Sequence, residues 1–349
     1  MELSAGKLWG IRRLADDGGR FKMVAVDQRP PIMNLIKQKR GVAEASFEDV
    51  CAVKALLTRE LAPHASAMLL DPLYAYSACI DAVKPSQGLL VTLEEHAFRE
   101  TAGGRISDEI ADWSVAKIKR LGADGVKVLA WYRPDADPEI LRRQHDFVEK
   151  IGRACAEHDI CYLLELLVYP LPGEDAQTKE YVEHKAKQPQ RVVDSLEAFV
   201  DPKYGVDIFK LESPIPADGL AAPGSDGAAE AQAWFDRIGA LTTRPWVMLS
   251  AGASMAKFRD VLHYAYKAGA SGYLAGRAIW ADALQNFPDM DKVSAALRAE
   301  GVPYMADLNR MTDAQATPWT GHRAFADGVR LAGAGPDFRR RYQSLPGAA

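Results

Sequence analysis

A (β/α)8 TIM barrel with extra helices at both ends is the α/β architecture that this 349-residue sequence predicts, on three observations. Eight short apolar runs alternate with stretches of helical periodicity, and parallel strands buried on both faces need a helix in each crossover. Several of these runs end in charged residues, as strands do when their tips face a shared mouth. The turn after the first run, Asp27-Gln28-Arg29-Pro30-Pro31, lacks the glycine loop of an open doubly wound sheet. The expected layout is a single domain over 1–349, with the barrel at about 21–285 and terminal helices and a tail over 286–349; such barrels take about 250 residues before additions.

In chain order, 3–14 reads as an amphipathic opening helix and Met23-Val24-Ala25-Val26 as the first strand, tipped by Asp27, Gln28 and Arg29. Residues 47–61 are helical, 65–71 and 88–93 are the second and third strands, and 108–121 is a helix that Ser107 would cap. The fourth strand, 125–129, carries Lys127. A long helix over 138–158 leads to the fifth strand, 160–167, which holds Glu165 among apolar side chains. A helix over 179–200 should break at Pro189. The sixth strand runs over 206–213 and carries Lys210, with Pro214 and Pro216 ending it. After a Gly/Ala-rich excursion over 218–229 come a helix at 230–241, the seventh strand at 246–250, a helix at 255–268 and the eighth strand at 272–275. Terminal helices fill 289–310, and the tail over 316–349 has no predicted place.

The chain is 48% hydrophobic and 26% charged, the balance of a globular protein with a sizeable core. A net charge of −4 with both signs interspersed offers no broad basic face, which argues against nucleic acid and anionic membranes as partners. The four cysteines form no CxxC pair, which suits a reducing compartment. No apolar stretch is long enough for a signal h-region with a cleavage site or for a membrane span, so a cytoplasmic location is the default expectation. A homo-oligomer is compatible with such a chain, and nothing in it fixes the state.

Catalytic groups of a barrel sit at the C-terminal ends of strands, so residues far apart in sequence meet there. A side-chain period of two puts Lys127, Glu165 and Lys210 on inward faces together. Desolvation and a second nearby cation both favour a neutral amine, and a neutral amine attacks a carbonyl. A buried glutamate is suited to proton transfer. A structural ion pair would also explain a lysine inside an apolar strand, but two lysines and a glutamate on three successive strands favour chemistry. Asp27 joins this candidate set, whereas Asp71, before Pro72, reads as a turn residue. Ser250-Ala251-Gly252 after the seventh strand and Gly276-Arg277 after the eighth stand where barrels often bind phosphate. The histidines fall in helices, at their edges or in the tail, with His96 alone past the third strand, so no metal site is expected. Trp131, Tyr132, Trp246 and Trp280 read as wall residues.

The phrases MVAVDQR, PHASAMLLDP, GADGVKVLAWY, YLLELLVY, VDIFKLESP, WVMLSAGAS and AGASGYLAGRAIW, in this order and spacing, resemble the class I tagatose 1,6-bisphosphate aldolase family. That family includes the similar aldolases for 6-deoxy-6-sulfofructose 1-phosphate. The resemblance runs from about 21 to 280 and implies a metal-independent enzyme that needs no cofactor and takes a phosphosugar. It implies Lys210 as the Schiff-base lysine, Glu165 as acid/base, Lys127 as the second active-site lysine and Asp27 with Gln28 as the strand-one pair. Ser250 to Gly252 would be its seventh-strand loop, and Gly276 with Arg277 its anion clamp. Departures from the family pattern are Pro30-Pro31, the 218–229 insertion and the tail beyond Pro318. The expected reaction is cleavage of a ketose 1,6-bisphosphate to dihydroxyacetone phosphate and glyceraldehyde 3-phosphate. Two alternatives remain: a sulfosugar phosphate substrate, whose sulfonate Arg277 or Arg29 would meet, and a non-catalytic phosphosugar-binding regulator.

Overall fold

In a computed structural model, eight parallel strands close into a barrel: β1 (Phe21–Ala25), β2 (Ala67–Leu70), β3 (Gly88–Thr92), β4 (Gly125–Trp131), β5 (Cys161–Leu167), β6 (Ile208–Leu211), β7 (Trp246–Met248) and β8 (Gly272–Ala275). Each strand pairs with its sequence neighbours, and β8 pairs with β1 to shut the ring. The structure describes residues 1–171, 173–174, 184 and 186–342.

Alternation along the strands divides the core in two. Met23, Ala25, Ala67, Leu69, Leu90, Leu163, Ile208, Val247 and Leu274 point into the barrel and pack on one another. Val24, Val26, Met68, Leu70, Val126, Val128, Leu164, Phe209 and Met248 point out and meet the helices. Apolar side chains on both faces explain why these strands read as continuous runs rather than alternating ones.

The base of the barrel is closed by the helix Ala5–Leu14, whose Ile11 and Leu14 enter the inner core. Gly10 permits the close approach, since a Cβ there would sit 2.4 Å from the Asp124 carbonyl oxygen. Ser4 Oγ and the Gly6 amide donate to the Asp159 carboxylate, which caps this helix from another part of the chain. The tail, for which the sequence predicts no place, completes this base. Trp319 and Phe325 fill the bottom of the inner core, and Arg330–Leu331 pairs in parallel with Glu2–Leu3.

Several expectations need correction. The helix placed at 108–121 is only Val115–Arg120, and its cap is Ser114, which accepts from the Lys117 amide. Ser107 is buried and accepts instead from the Trp131 amide and Gln144 Nε2. Ahead of it, Arg99–Thr101 and Gly104–Ile106 form an antiparallel hairpin that the apolar pattern does not signal. A helix at Pro30–Arg40 is also absent from the sequence-based layout, because its two leading prolines resemble a break. Proline is favoured in the first turn, where the missing N–H would have no intrahelical partner. Pro189 likewise starts the helix Pro189–Glu197; 179–183 and 185, in the front of the helix expected over 179–200, lie outside the described residues. The four cysteines are unpaired.

A buried ion pair anchors the tip of β1. Lys54, on the helix Phe47–Leu61, is fully buried and donates to Asp71 Oδ2 at 2.5 Å and to the carbonyls of Val26 (2.6 Å) and Gln28 (2.9 Å). The other oxygen of Asp71 accepts from the amides of Leu73 and Tyr74, so the turn role expected of it holds and is joined by an ion pair. Breaking a buried pair strands its partner, so Lys54→Met should cost about 3–5 kcal/mol in urea unfolding. Lys54→Met with Asp71→Asn should recover much of that, because asparagine keeps the turn without the charge.

Candidate active site

Strands β4, β5 and β6 carry Lys127, Glu165 and Lys210. The register places Glu165 level with Lys210 and Lys127 level with Leu163, two residues deeper in the barrel. All three are buried, at 2%, 6% and 4% exposure. Lys210 Nζ donates to Glu165 Oε2 at 2.9 Å, and Lys127 Nζ lies 3.0 Å from the same oxygen. The lysine ammonium groups therefore bracket one carboxylate oxygen.

Lys127 is the hub of the cluster. Besides Glu165 it meets Asp27 Oδ2 at 3.1 Å and Glu94 Oε1 at 2.5 Å. Asp27, on the tip of β1, also accepts from Thr92 Oγ1 at 3.1 Å. Its position is fixed from behind, since Lys54 holds the carbonyls on either side of it. Arg29 Nη2 donates to the Glu94 carbonyl at 3.3 Å, tying the same tip to the end of β3.

The electrostatics separate the three carboxyls. Burial pushes Asp27 up, but Lys127, Lys210, Arg29 and Lys54 together hold it well below the usual carboxylate range. Burial likewise opposes the charge on Glu165, and Lys127 with Lys210 outweighs it, so this group is also lowered. Glu94 goes the other way. Its burial outweighs the attraction of Lys127 and Arg29, and its carboxyl is raised.

In the mouth, a cavity of about 660 Å³, counting the part continuous with solvent, is lined by Asp27, Gln28, Arg29, Lys127, Glu165 and Lys210 together with Leu249, Ser250, Ala251, Gly276 and Arg277. That size suits a small-molecule site, typically about 300–1,000 Å³. The Ser250 carbonyl accepts from the Ala253 amide at 2.7 Å around Ala251 and Gly252, which both take left-handed φ values, +47° and +83°. Ala251 bears this conformation without glycine's freedom, a local strain of the kind found at ligand-binding turns. Gly276 precedes the helix Arg277–Leu284 and its amide end has no side-chain cap. A Cβ on Gly276 would lie 2.6 Å from the Ala25 carbonyl and 2.8 Å from Gln28 Nε2. Gly276→Ala should therefore displace Gln28 and the β1 tip and lower kcat/KM by about 10²-fold, a displacement effect that initial-rate assays would measure.

Ten of the eleven predicted site residues line the cavity; Gly252 does not, and instead backs Arg277, whose guanidinium carbon would be 3.4 Å from a Cβ there. Among the described residues, three polar ones join the site without having been predicted. Glu94 follows directly on the third strand, and an acid in that position is the signal that could have found it. Glu212 lines the cavity and is held by Lys187 Nζ (2.7 Å) and the Val168 amide (2.7 Å). His184, expected in a helix or at its edge, is buried in the cavity wall. Nothing in its local sequence marks it. Among the described residues no group of histidine, cysteine and carboxylate side chains could hold a metal ion, and no helix is long and apolar enough to cross a membrane. Trp131 packs on Phe98 and Tyr169 at the mouth without lining the cavity.

Residues 21–282 match the sequence model described as DeoC/LacD family aldolase. Among curated proteins, tagatose 1,6-diphosphate aldolase 2 of Enterococcus faecalis is 35% identical over 327 residues, covering 91% of this chain and 97% of that protein. Tagatose 1,6-diphosphate aldolase of Listeria monocytogenes is 34% identical over 339 residues, covering 94% and 98%. Among solved structures, a fructose-bisphosphate aldolase from Plasmodium falciparum superposes with a TM-score of 0.62 at 11% identity, over 91% of this chain and 98% of that one. At that identity the likeness speaks for the barrel alone.

Proposed function

The chain belongs to the DeoC/LacD aldolase family of carbon–carbon lyases, and from that membership we propose a class I aldolase that cleaves tagatose 1,6-bisphosphate to dihydroxyacetone phosphate and glyceraldehyde 3-phosphate. The observation that carries the reading is Lys210 Nζ at 2.9 Å from Glu165 Oε2, buried at the end of β6 with Lys127 on the same oxygen. The substrate is the one for which the Enterococcus and Listeria relatives are named.

Lys210 Nζ, once it has passed a proton to Glu165, adds to the ketose carbonyl carbon and forms a C–N bond. Glu165 returns a proton to the carbinolamine hydroxyl, which leaves as water and yields the iminium. Glu165 then takes the proton of the C4 hydroxyl. The C3–C4 bond breaks, its electron pair flows into the iminium as an enamine, and the aldehyde departs. Protonation at C3 and hydrolysis free the second product. Asp27, held ionised, faces the cationic intermediates and stabilises their charge. Arg277 and the turn Ser250–Gly252 supply the cation and the backbone amides that suit a phosphate, and Arg29 offers a second cation at the tip of the neighbouring β1.

The iminium supplies the electron sink, so no metal enters the scheme. Borohydride reduction with dihydroxyacetone phosphate should label the protein, and mass spectrometry should find the adduct on Lys210. An adduct elsewhere would sink the assignment. Cleavage should persist in EDTA, whereas complete loss restored by zinc would require a different mechanism.

A further inference from the structure

Glu94 is 1% exposed, does not line the cavity, and its side chain meets the site at Lys127, with Lys127 Nζ 2.5 Å from Glu94 Oε1. The three carboxyls that share Lys127 are not equivalent. Asp27 has the Thr92 hydroxyl as well, and Glu165 has Lys210. Glu94 has Lys127 alone, and its second oxygen, Oε2, has no hydrogen-bond partner among the described residues. Arg29, the nearest guanidinium, donates to the backbone carbonyl of Glu94. An ionised carboxylate has four lone-pair sites to satisfy, and leaving half of them bare in a dry interior penalises the charged form far more than the neutral one.

We propose that Glu94 rests as a neutral carboxylic acid and acts as a positioning residue through Lys127, exchanging a proton with it whenever Glu165 gives one up or takes one back. The inference rests on the Schiff-base reading only for when the exchange happens. When Glu165 protonates the departing carbinolamine hydroxyl, Lys127 passes a proton to the Glu165 carboxylate and Glu94 returns one to the Lys127 amine. Glu94 becomes the carboxylate and Lys127 is again the ammonium. Before Glu165 takes the C4 hydroxyl proton the same two transfers run backwards: Lys127 protonates Glu94, Glu165 returns a proton to the Lys127 amine, and Glu165 is again the carboxylate that the C4 proton needs while Glu94 is neutral. The 2.5 Å and 3.0 Å contacts on one Lys127 nitrogen make both transfers direct.

The charged and titratable groups that act on this device are Lys127 on β4, Asp27 and Arg29 on the β1 tip, Glu165 on β5 and Lys210 on β6, with the buried Tyr162 also within its field. The direction of the burial effect on Glu94 agrees with the neutral form, whereas Asp27 and Glu165 stay ionised beside the lysines.

The test reads the resting protein first. Infrared difference spectra of the wild type against Glu94→Gln, without substrate at about pH 6, where exposed glutamates with pKa about 4.3 are ionised, should show a protonated-carboxyl carbonyl stretch that the variant lacks. Asp124 is another carboxyl among the described residues that is raised by burial, so Asp124→Asn serves as control and should leave the band in place. If Glu94→Gln does not fold, a band that survives Asp124→Asn and shifts in frequency in Glu94→Asp makes the same assignment. In turnover, Glu94→Gln should lower kcat by about 10-fold or more, below the ~10²–10⁴ of a direct acid or base, with KM within about twofold and one ionisation missing from the kcat–pH profile. No band, or a variant with wild-type kcat and pH profile, overturns the proposal. Borohydride labelling of wild-type Lys210 separates the two readings: its failure would remove the Schiff base and leave the infrared result standing.

Discussion

Lys210→Met should lower kcat by roughly 10⁴-fold or more, the scale seen when a covalent nucleophile is removed. Methionine matches the length of the lysine stem, so the inner core at Ile208 and Leu163 keeps its packing. Glu165 retains Lys127 at 3.0 Å and is not left as an unpaired buried charge, so the fold should survive and the loss should be chemical. Lys210→Arg should be equally inactive, because a guanidinium stays protonated and cannot attack a carbonyl. Neither variant should take up the borohydride label. Residual cleavage within tenfold of wild type in either would mean that another amine carries the reaction.

The second large effect is expected from Lys127→Met, and it falls on stability as well as rate. One ammonium meets carboxyl oxygens of Asp27, Glu94 and Glu165, of which Asp27 and Glu165 are held ionised. Removing it leaves buried charges without their partner, a change that costs about 3–5 kcal/mol in comparable cases. The pH dependence gives the sign. In the wild type Asp27 and Glu165 are lowered, so the stability they contribute is full above the unfolded carboxylate values, about 4, and is lost as pH falls through their lower folded values. Lys127 is the largest of the cationic influences that oppose burial at both groups, so its removal should raise both carboxyls from their wild-type values. A raised carboxyl contributes stability below its unfolded value and loses it as pH rises through the folded one. The deficit of the variant relative to the wild type, measured by urea unfolding, should therefore shrink as pH falls from about 7.5 to about 5.5. A deficit independent of pH would mean that the three carboxyls do not depend on this lysine.

The barrel was legible because its code is local. Eight apolar runs, buried on both faces, cannot be confused with amphipathic strands, and each catalytic candidate sat on a run whose two-residue period fixed its direction. Lys127, Glu165 and Lys210 could be placed on one inner face for that reason, and the register gives their level. The parts that stayed hidden depend on partners distant in sequence. Glu94 is defined by Lys127, 33 residues on. Lys54 looked like one more polar position on a helix, and only the closed barrel shows that it holds the strand tip bearing Asp27. The hairpin Arg99–Ile106 is stabilised by the Arg105 guanidinium set over Phe98, Trp131 and Tyr169, at 4.0, 4.8 and 5.0 Å from their centroids. An arginine among three rings from separate segments leaves no periodic trace. His184 entered the cavity wall for the same kind of reason.

The parallel pairing of Glu2–Leu3 with Arg330–Leu331, with the Met1 amino group donating to the Gly328 carbonyl, joins residues 327 positions apart beneath the barrel. During synthesis on the ribosome, all eight strands have emerged by Ala275, yet this last clasp cannot form until residue 331 has cleared the exit tunnel. In the finished fold Trp319 and Phe325 seal the inner core on the side where the clasp closes, so the clasp and the catalytic cluster lie at opposite ends of the barrel and a change at the clasp acts on the floor without touching the mouth.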